Sequence, residues 1–248
     1  ILLVLPGCIG LVWQKPKKLA KLVYIAMAGI MFATLILTFS RGCWIGFMIT
    51  AGLFVTFVCG KIWGLALIAL PFLPMVLPES IINRIASVGD MKDSSTSYRV
   101  YIWYGSLAMV KDFWASGIGP GTQAFKSVYP FYSYSGIVAP HSHNMFLQIL
   151  VESGIVGIGV FLTTIVMFFK KLINGYQSTS GKGSKLGAMI VAIGAGVAGF
   201  CVQGMFDNCF YNYRVFLIFW IVLALGIAAV YIAKGEKEES AVKAVEEE

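Results

Sequence analysis

The run PHSHNMFLQILVESGIVG, residues 140–157, carries both of the chain's histidines, an asparagine, a glutamine and a glutamate into an otherwise apolar segment. Imidazole is the side chain that moves protons near neutral pH. A carboxylate within an apolar segment is a functional-site hypothesis by default. Pro140 followed by Ser142 or Asn144 reads as a helix start, so His143 falls at the N-terminal mouth of a helix, where the dipole attracts anions. A histidine beside an anion site is suited to act as a general base. At about 100° and 1.5 Å per residue, Asn144, Gln148 and Glu152 form one stripe descending about 12 Å, with Glu152 about 180° around the helix from His143. Glu152 therefore either serves a function of its own or ties the helix to a neighbour. Gly154 returns to the histidine's face and permits close packing beneath it, while His141 supports or lines the site.

A second chemistry is suggested by the four arginines, Arg41, Arg84, Arg99 and Arg214. The guanidinium fork suits bidentate recognition of phosphate. Arg41 lies in TFSRGCWIG between two apolar runs, and Arg99 opens YRVYIWYGSLAMVKDFW. An arginine at such a boundary also snorkels to headgroups. Three features, Arg41, Arg99 and His143, are expected on one side of a membrane, and Arg84 is a further phosphate-contact candidate.

The elements that must position these residues follow from composition. Of 248 residues, 58% are hydrophobic and 12% charged, where soluble domains carry roughly 25% charged residues. The solvent is lipid. A helix spanning a hydrocarbon core needs roughly 17–25 apolar residues, and the qualifying segments are Leu22 to Phe39, Cys43 to Cys59, Ile62 to Pro78, Asn144 to Phe169, Leu186 to Met205 and Val215 to Ala233. Ile1 to Trp13 resembles the second half of another span without the charged flank of a signal peptide. The sequence is expected to be a C-terminal portion of something larger.

Lysines set orientation. Lys15, Lys17, Lys18 and Lys21 mark the first loop as cytoplasmic, and alternation then puts twelve lysines inside and seven basic residues outside, the latter including all four arginines. The net charge of +7 thus combines topology signals with an outer arginine set. No basic run joins an aromatic platform of the kind that binds nucleic acid.

The domain order expected is 1–78 transmembrane helices, 79–143 an extracytoplasmic loop, 144–233 transmembrane helices and 234–248 an acidic cytoplasmic tail. Pro71, Pro74 and Pro78 predict a kink in the third full span. In the loop, Ile81, Ile82, Ile85 and Val88 follow a helical period, and a polar linker follows. Val100, Trp103, Leu107, Val110 and Trp114 then predict a helix lying at the interface with aromatic anchors, broken by Gly117 to Gly121. Ala188, Ala192 and Gly196 at four-residue spacing predict close helix packing. The five cysteines lack metal-ligand spacing. Cys43 and Cys209, both near the outer surface, are open to pairing or to the ordinary role of small buried residues. The fold class is all-α, a polytopic transmembrane helix bundle with a large extracytoplasmic loop containing short amphipathic helices.

These motifs together resemble the bacterial O-antigen ligases and the related O-antigen polymerases, which share a C-terminal domain. Ser40-Arg41-Gly42 is similar to the family's arginine at the head of a span. Arg99, with the aromatic helix and Gly-rich turn behind it, is similar to the arginine of the large periplasmic loop. His143-Asn144, nine residues, then Gly154 is similar to the ligase motif. The resemblance implies a metal-independent, inverting glycosyltransferase without cofactors, in the bacterial cytoplasmic membrane with its site on the extracytoplasmic side. It implies a glycan donor on undecaprenyl pyrophosphate, with Arg41 and Arg99 holding the pyrophosphate and His143 activating the acceptor hydroxyl. Apart from the resemblance, Arg84, His141, Asn144 and Glu152 are candidates to support the site. The acceptor stays open among lipid A core, another glycan and other hydroxyl-bearing molecules, and with it ligase against polymerase. A transporter of lipid-linked glycans is the alternative from another class; inverted repeats would favour it, and no internal repeat is visible.

Overall fold

The computed structural model describes residues 1–14, 16–64, 78–87, 92–179 and 184–246. Among the described residues there is no strand. The helices are α1 (Leu5–Trp13), α2 (Lys18–Leu37), α3 (Arg41–Val58), α4 (Glu79–Ala86), α5 (Ser94–Phe113), α6 (Thr122–Val128), α7 (Met145–Ser178), α8 (Lys185–Gly204) and α9 (Tyr213–Glu246). Single 3-10 turns lie at Tyr129–Phe131, Tyr134–Gly136 and Cys209–Tyr211. Five stretches are long and apolar enough to cross a membrane: α2, α3, α7, α8 and Tyr213–Lys237 of α9. The protein is an all-α polytopic membrane protein. Of the expected spans, Ile62 to Pro78 with its proline kink lies largely outside the described residues, as do Lys15 and Val88. The segment Ile1 to Trp13 contains the nine-residue α1, with Pro6 in its first turn, where a missing N–H costs nothing.

The chain divides into two compact units, residues 1–77, 166–201 and 217–248, and residues 78–165 and 202–216. In the first, small residues bring helices into contact as the spacing predicts. Ala188, Ala192 and Ala195 of α8 pack with Phe54 and Val58 of α3. A side chain at Gly46 would strike the Gly199 backbone, and one at Gly199 would strike Thr50 and Gly46. The single Thr50 hydroxyl proton is shared between Gly46 O of its own helix at 2.9 Å and Ala195 O across this crossing at 3.1 Å. Such close approach replaces the hydrophobic drive that helices lack in lipid. Arg41 is the first residue of α3, behind the N-cap Ser40, whose hydroxyl accepts from Cys43 N. No disulfide joins the described cysteines.

The second unit is built on Ile102, Met109, Phe125, Tyr129, Ala139 and Val151, all at most 2% exposed. Asp93 caps α5, accepting from Thr96 N at 3.0 Å. α5 buries Ile102, Gly105, Ser106 and Met109 in the core of this unit, while Leu107 and Trp114, two of the residues expected to anchor it at the interface, are exposed. Gly105 admits the Tyr132 carbonyl and Tyr129 ring where any side chain would collide, and Tyr98, Val110 and Phe113 pack against the same core.

α7 is not the continuous helix expected. It breaks at Gly154 (φ 65°, ψ −167°), and the segment after α5 inserts there. An unbroken helix would have Ile155 N donate to Val151 O. Instead Ile155 N donates to Trp114 O at 2.8 Å, and the released carbonyls of Val151 and Glu152 accept from Ile118 N at 2.9 Å and Gly119 N at 3.0 Å. Every group freed at these three positions is re-paired, as a helix leaving water demands. A side chain at Gly154 would meet the Ala115 carbonyl, and one at Gly117 (φ 67°) the Glu152 backbone. The close packing expected at Gly154 thus takes the form of a backbone crossing.

Gly154→Ala should destabilise the protein by at least about 1–3 kcal/mol, because that dihedral region is essentially open to glycine alone. Gly159, in helical conformation with open space around it, is the control, and Gly159→Ala should be neutral or slightly stabilising. Thermal unfolding of both variants in detergent checks this; equal unfolding temperatures would refute the crossing's importance.

Candidate functional site

The site is assembled where the chain enters α7. Asn144 is its N-cap: Oδ1 accepts from Leu147 N at 3.0 Å, while Nδ2 donates to Met205 O at 3.0 Å. The cap satisfies an orphan helical N–H and ties the start of α7 to the end of α8. One turn in, the Gln148 amide, 4% exposed, accepts from Ser142 N at 2.7 Å and donates to Glu152 Oε1 at 2.8 Å. The carboxylate can only accept when ionised, which fixes which way the amide points. Ser142 Oγ also donates to Asn144 O at 2.8 Å. Of the expected stripe, then, Gln148 and Glu152 pair with each other while Asn144 closes the helix end.

These bonds hold His143 at φ 49°, a left-handed conformation that histidine adopts more readily than most residues. Its backbone N–H donates to His141 Nδ1 at 3.2 Å, and the two imidazole centroids are 4.2 Å apart. His143 Nδ1 lies 3.0 Å from Asp207 Oδ1. Asp207 also accepts from Asn208 N at 2.9 Å. Burial alone would push the Asp207 carboxyl up, but the hydrogen bond and charge of His143, with the Asn208 amide, outweigh it and bring it below its ordinary value. An ionised carboxylate is acceptor only, so His143 donates from Nδ1 and its neutral form keeps the lone pair on Nε2. The Tyr98 ring meets His143 edge-on at 5.7 Å, and Tyr211 packs on His141 at 4.7 Å. His143, its side chain 21% exposed, is thus oriented through one ring nitrogen.

His141 is 7% exposed. Burial, reinforced by the charge of His143 and opposed by Asp207, lowers its pKa to about 4, so it stays neutral near pH 7. The His141, His143 and Asp207 ligand atoms lie within 4.8 Å of one another and form the set that could hold a metal ion among the described residues. In the observed arrangement the His143 and Asp207 atoms bond to each other, and His141 Nδ1 accepts from the His143 amide.

The arginines are distributed between the units. Arg99 follows Tyr98 on α5 in the second unit, with Nη1 donating to Ser95 Oγ at 2.8 Å. Arg84 pairs with Asp93 at 3.1 Å, which joins α4 to the capped start of α5. Arg41 heads α3 in the first unit. Sequence reasoning missed Asp207, which lies 64 residues from His143. The available signal was a carboxylate in the short connection between the last two spans, which alternation places on the same side of the membrane as the histidines.

Residues 3–162, more than half of the chain, match the family model described as O-Antigen ligase. No curated protein matches the chain.

The lowered His141 pKa has a consequence for stability. An unfolded histidine takes up its proton near pH 6.5 while the folded one waits until about 4, so the unfolded state binds more protons between these values and stability falls as pH falls through that window. His141→Asn, which keeps an acceptor for the His143 amide but does not titrate, should flatten the pH dependence of the unfolding temperature between pH 6.5 and 4. An unchanged slope would show that His141 is not held neutral.

Proposed function

The chain belongs to the O-antigen ligase family, and from that premise we propose that it is a membrane glycosyltransferase of polysaccharide biosynthesis that moves a glycan from undecaprenyl pyrophosphate to an acceptor hydroxyl. The observation that carries this reading is the His143–Asp207 pair, at 3.0 Å, at the mouth of α7. His143 Nε2 takes the proton of the acceptor hydroxyl as its oxygen attacks the anomeric carbon. The carbon–oxygen bond to the carrier breaks on the opposite face, and undecaprenyl pyrophosphate leaves with the electron pair, which inverts the anomeric centre. Asp207 holds the imidazole in the productive tautomer and stabilises the imidazolium that forms, the role of the orienting carboxylate in hydrolytic triads.

Arg41 and Arg99 neutralise the leaving pyrophosphate, where charge develops in the transition state. Their type suits the task, since a guanidinium presents paired donors to phosphate oxygens. No step calls on a metal or cofactor. The lysine bias of the loops supports an extracytoplasmic position for α7's histidine end, in the bacterial cytoplasmic membrane that the family reading implies, where lipid-linked glycans and hydroxyl-bearing acceptors such as lipid A core meet.

His143→Ala should lower transfer by about 100- to 10,000-fold, the worth of a general base, while donor binding survives. Asp207→Asn should lower kcat about 10- to 100-fold, the equivalent of one charge-assisted hydrogen bond, with KM for the donor little changed. Arg41→Ala and Arg99→Ala should instead raise the donor Kd. Reconstituted protein, a lipid-linked glycan and mass analysis of the product with alternative acceptors provide the measurement. Near wild-type transfer by His143→Ala sinks the base assignment, and unchanged donor affinity in both arginine variants sinks pyrophosphate binding.

A further inference from the structure

His141, His143 and Asp207 each offer one ligand atom, and these atoms lie within 4.8 Å of one another. We propose that the three side chains form an inhibitory binding site for a divalent transition metal, which takes His143 through Nδ1 and so disables the base. The metal-binding half of this inference stands on the cluster alone, and the inhibitory half rests on the reading of His143 Nε2 as the base.

The donor set suits such an ion. Two imidazoles and a carboxylate, with water in the fourth position, make a three-ligand zinc set, and imidazole favours zinc, copper and nickel over magnesium or calcium. Metal–ligand bonds of about 2.0–2.2 Å put tetrahedral ligands roughly 3.4 Å apart. His143 Nδ1 and Asp207 Oδ1 are already at 3.0 Å, and the two imidazole centroids are 4.2 Å apart. Closing the site around an ion therefore asks for side-chain rotation, not backbone movement.

Each ligand can be released to the ion at small cost. His141 Nδ1 accepts from His143 N–H at 3.2 Å, so that nitrogen carries a lone pair rather than a proton, and the bond it would give up is at the long end of the range. The Tyr211 ring keeps the imidazole in place. Both bonds to Asp207, from His143 Nδ1 and from Asn208 N at 2.9 Å, fall on Oδ1, which leaves Oδ2 for a metal. The Asn208 amide orients the carboxylate as outer partners orient metal ligands. The Asp207 side chain is 43% exposed, and this opens a way in for the ion.

Inhibition follows from the tautomer. In the observed dyad His143 donates from Nδ1 to Asp207, and the lone pair lies on Nε2. A metal on Nδ1 replaces that bond, and the ring's one proton moves to Nε2, because an imidazole bound to metal through one nitrogen keeps its proton on the other. The ring neither gains nor loses a proton. Nε2 then has no lone pair with which to take the proton of a hydroxyl. The metal thus inverts the tautomer that Asp207 sets.

Calorimetric titration of the full chain in nanodiscs with ZnCl2, and with MgCl2 for comparison, tests the site, and the transfer assay with Zn2+ and then EDTA tests its effect. Zn2+ should bind saturably and Mg2+ should not compete. His141→Ala and Asp207→Asn should each weaken Zn2+ by at least about 10- to 100-fold, since even an outer partner of a ligand is worth that much. Asp207 is partly exposed, so its variant carries the test if loss of the buried His141 imidazole unfolds the chain. Saturating Zn2+ should cut wild-type transfer at least about 100-fold, the loss expected for a missing general base, and EDTA should restore it. Half-inhibition of each variant, scored against its own basal rate, should move by the same factor as its Kd. Absence of saturable Zn2+ binding, or an equal Kd in wild type and Asp207→Asn, overturns the site and leaves the transfer reading standing. Binding that depends on Asp207 while transfer continues overturns the inhibition and, with it, the Nε2 base. Binding that depends on Asp207, in protein that transfers no glycan to any acceptor, upholds the site and sinks the transfer reading.

Discussion

A helix passing into hydrocarbon cannot leave backbone groups unpaired, and the second unit is organised around the one place where α7 breaks that rule and is repaired. At Gly154 the ladder opens, and the segment from Trp114 to Gly119 supplies the missing partners for Val151, Glu152 and Ile155. The exchange works only because the two chains approach closer than any side chain allows, at Gly154 from one side and Gly117 from the other. Its effect reaches far along the chain. By docking the end of α5 into α7 it fixes the line of α5, whose other end carries Tyr98 and Arg99. Tyr98 then meets His143.

His143 itself is held from several directions. Gln148 fixes Ser142 from within the helix, Asn144 ties the helix mouth to Met205, and Asp207 holds the imidazole from the following connection. A non-glycine residue at positive φ is tolerated when its surroundings over-determine it, and such strain collects at functional sites. The role of Glu152 is legible in this light. It does not touch the histidine; it accepts from Gln148 and so sets the orientation of the amide that holds the cap. Polar groups near the start of α7 therefore divide into those that shape the backbone and the dyad that can move a proton.

The first unit solves a different problem. Between helices surrounded by lipid, burial of apolar surface offers little, and contact depends on shape. The Gly46–Gly199 crossing and the Thr50 bond to Ala195 O supply it at the level of α3, the helix that Arg41 begins. A residue proposed to hold pyrophosphate is thereby mounted on a helix fixed by backbone contact rather than on a loop.

The sequence by itself determined the solvent, five of the six expected spans, the small-residue packing of α8 and the place of His143 at a helix mouth, because hydropathy, glycine spacing and capping act over a few residues and leave local marks. The family resemblance was legible in the same way, from Arg41, Arg99 and His143-Asn144 to Gly154. What only the tertiary structure decided is every feature that joins distant parts of the chain. The face of α5 that packs on the core follows Gly105 and its contact with Tyr129 and Tyr132. The purpose of Gly154 depends on a loop some 40 residues earlier, and the partner of His143 lies 64 residues later. Periodicity reports which face of one helix is apolar; it carries no record of which carboxylate, hydroxyl or carbonyl arrives from elsewhere, and it is those arrivals that turn a histidine at a helix mouth into an oriented base.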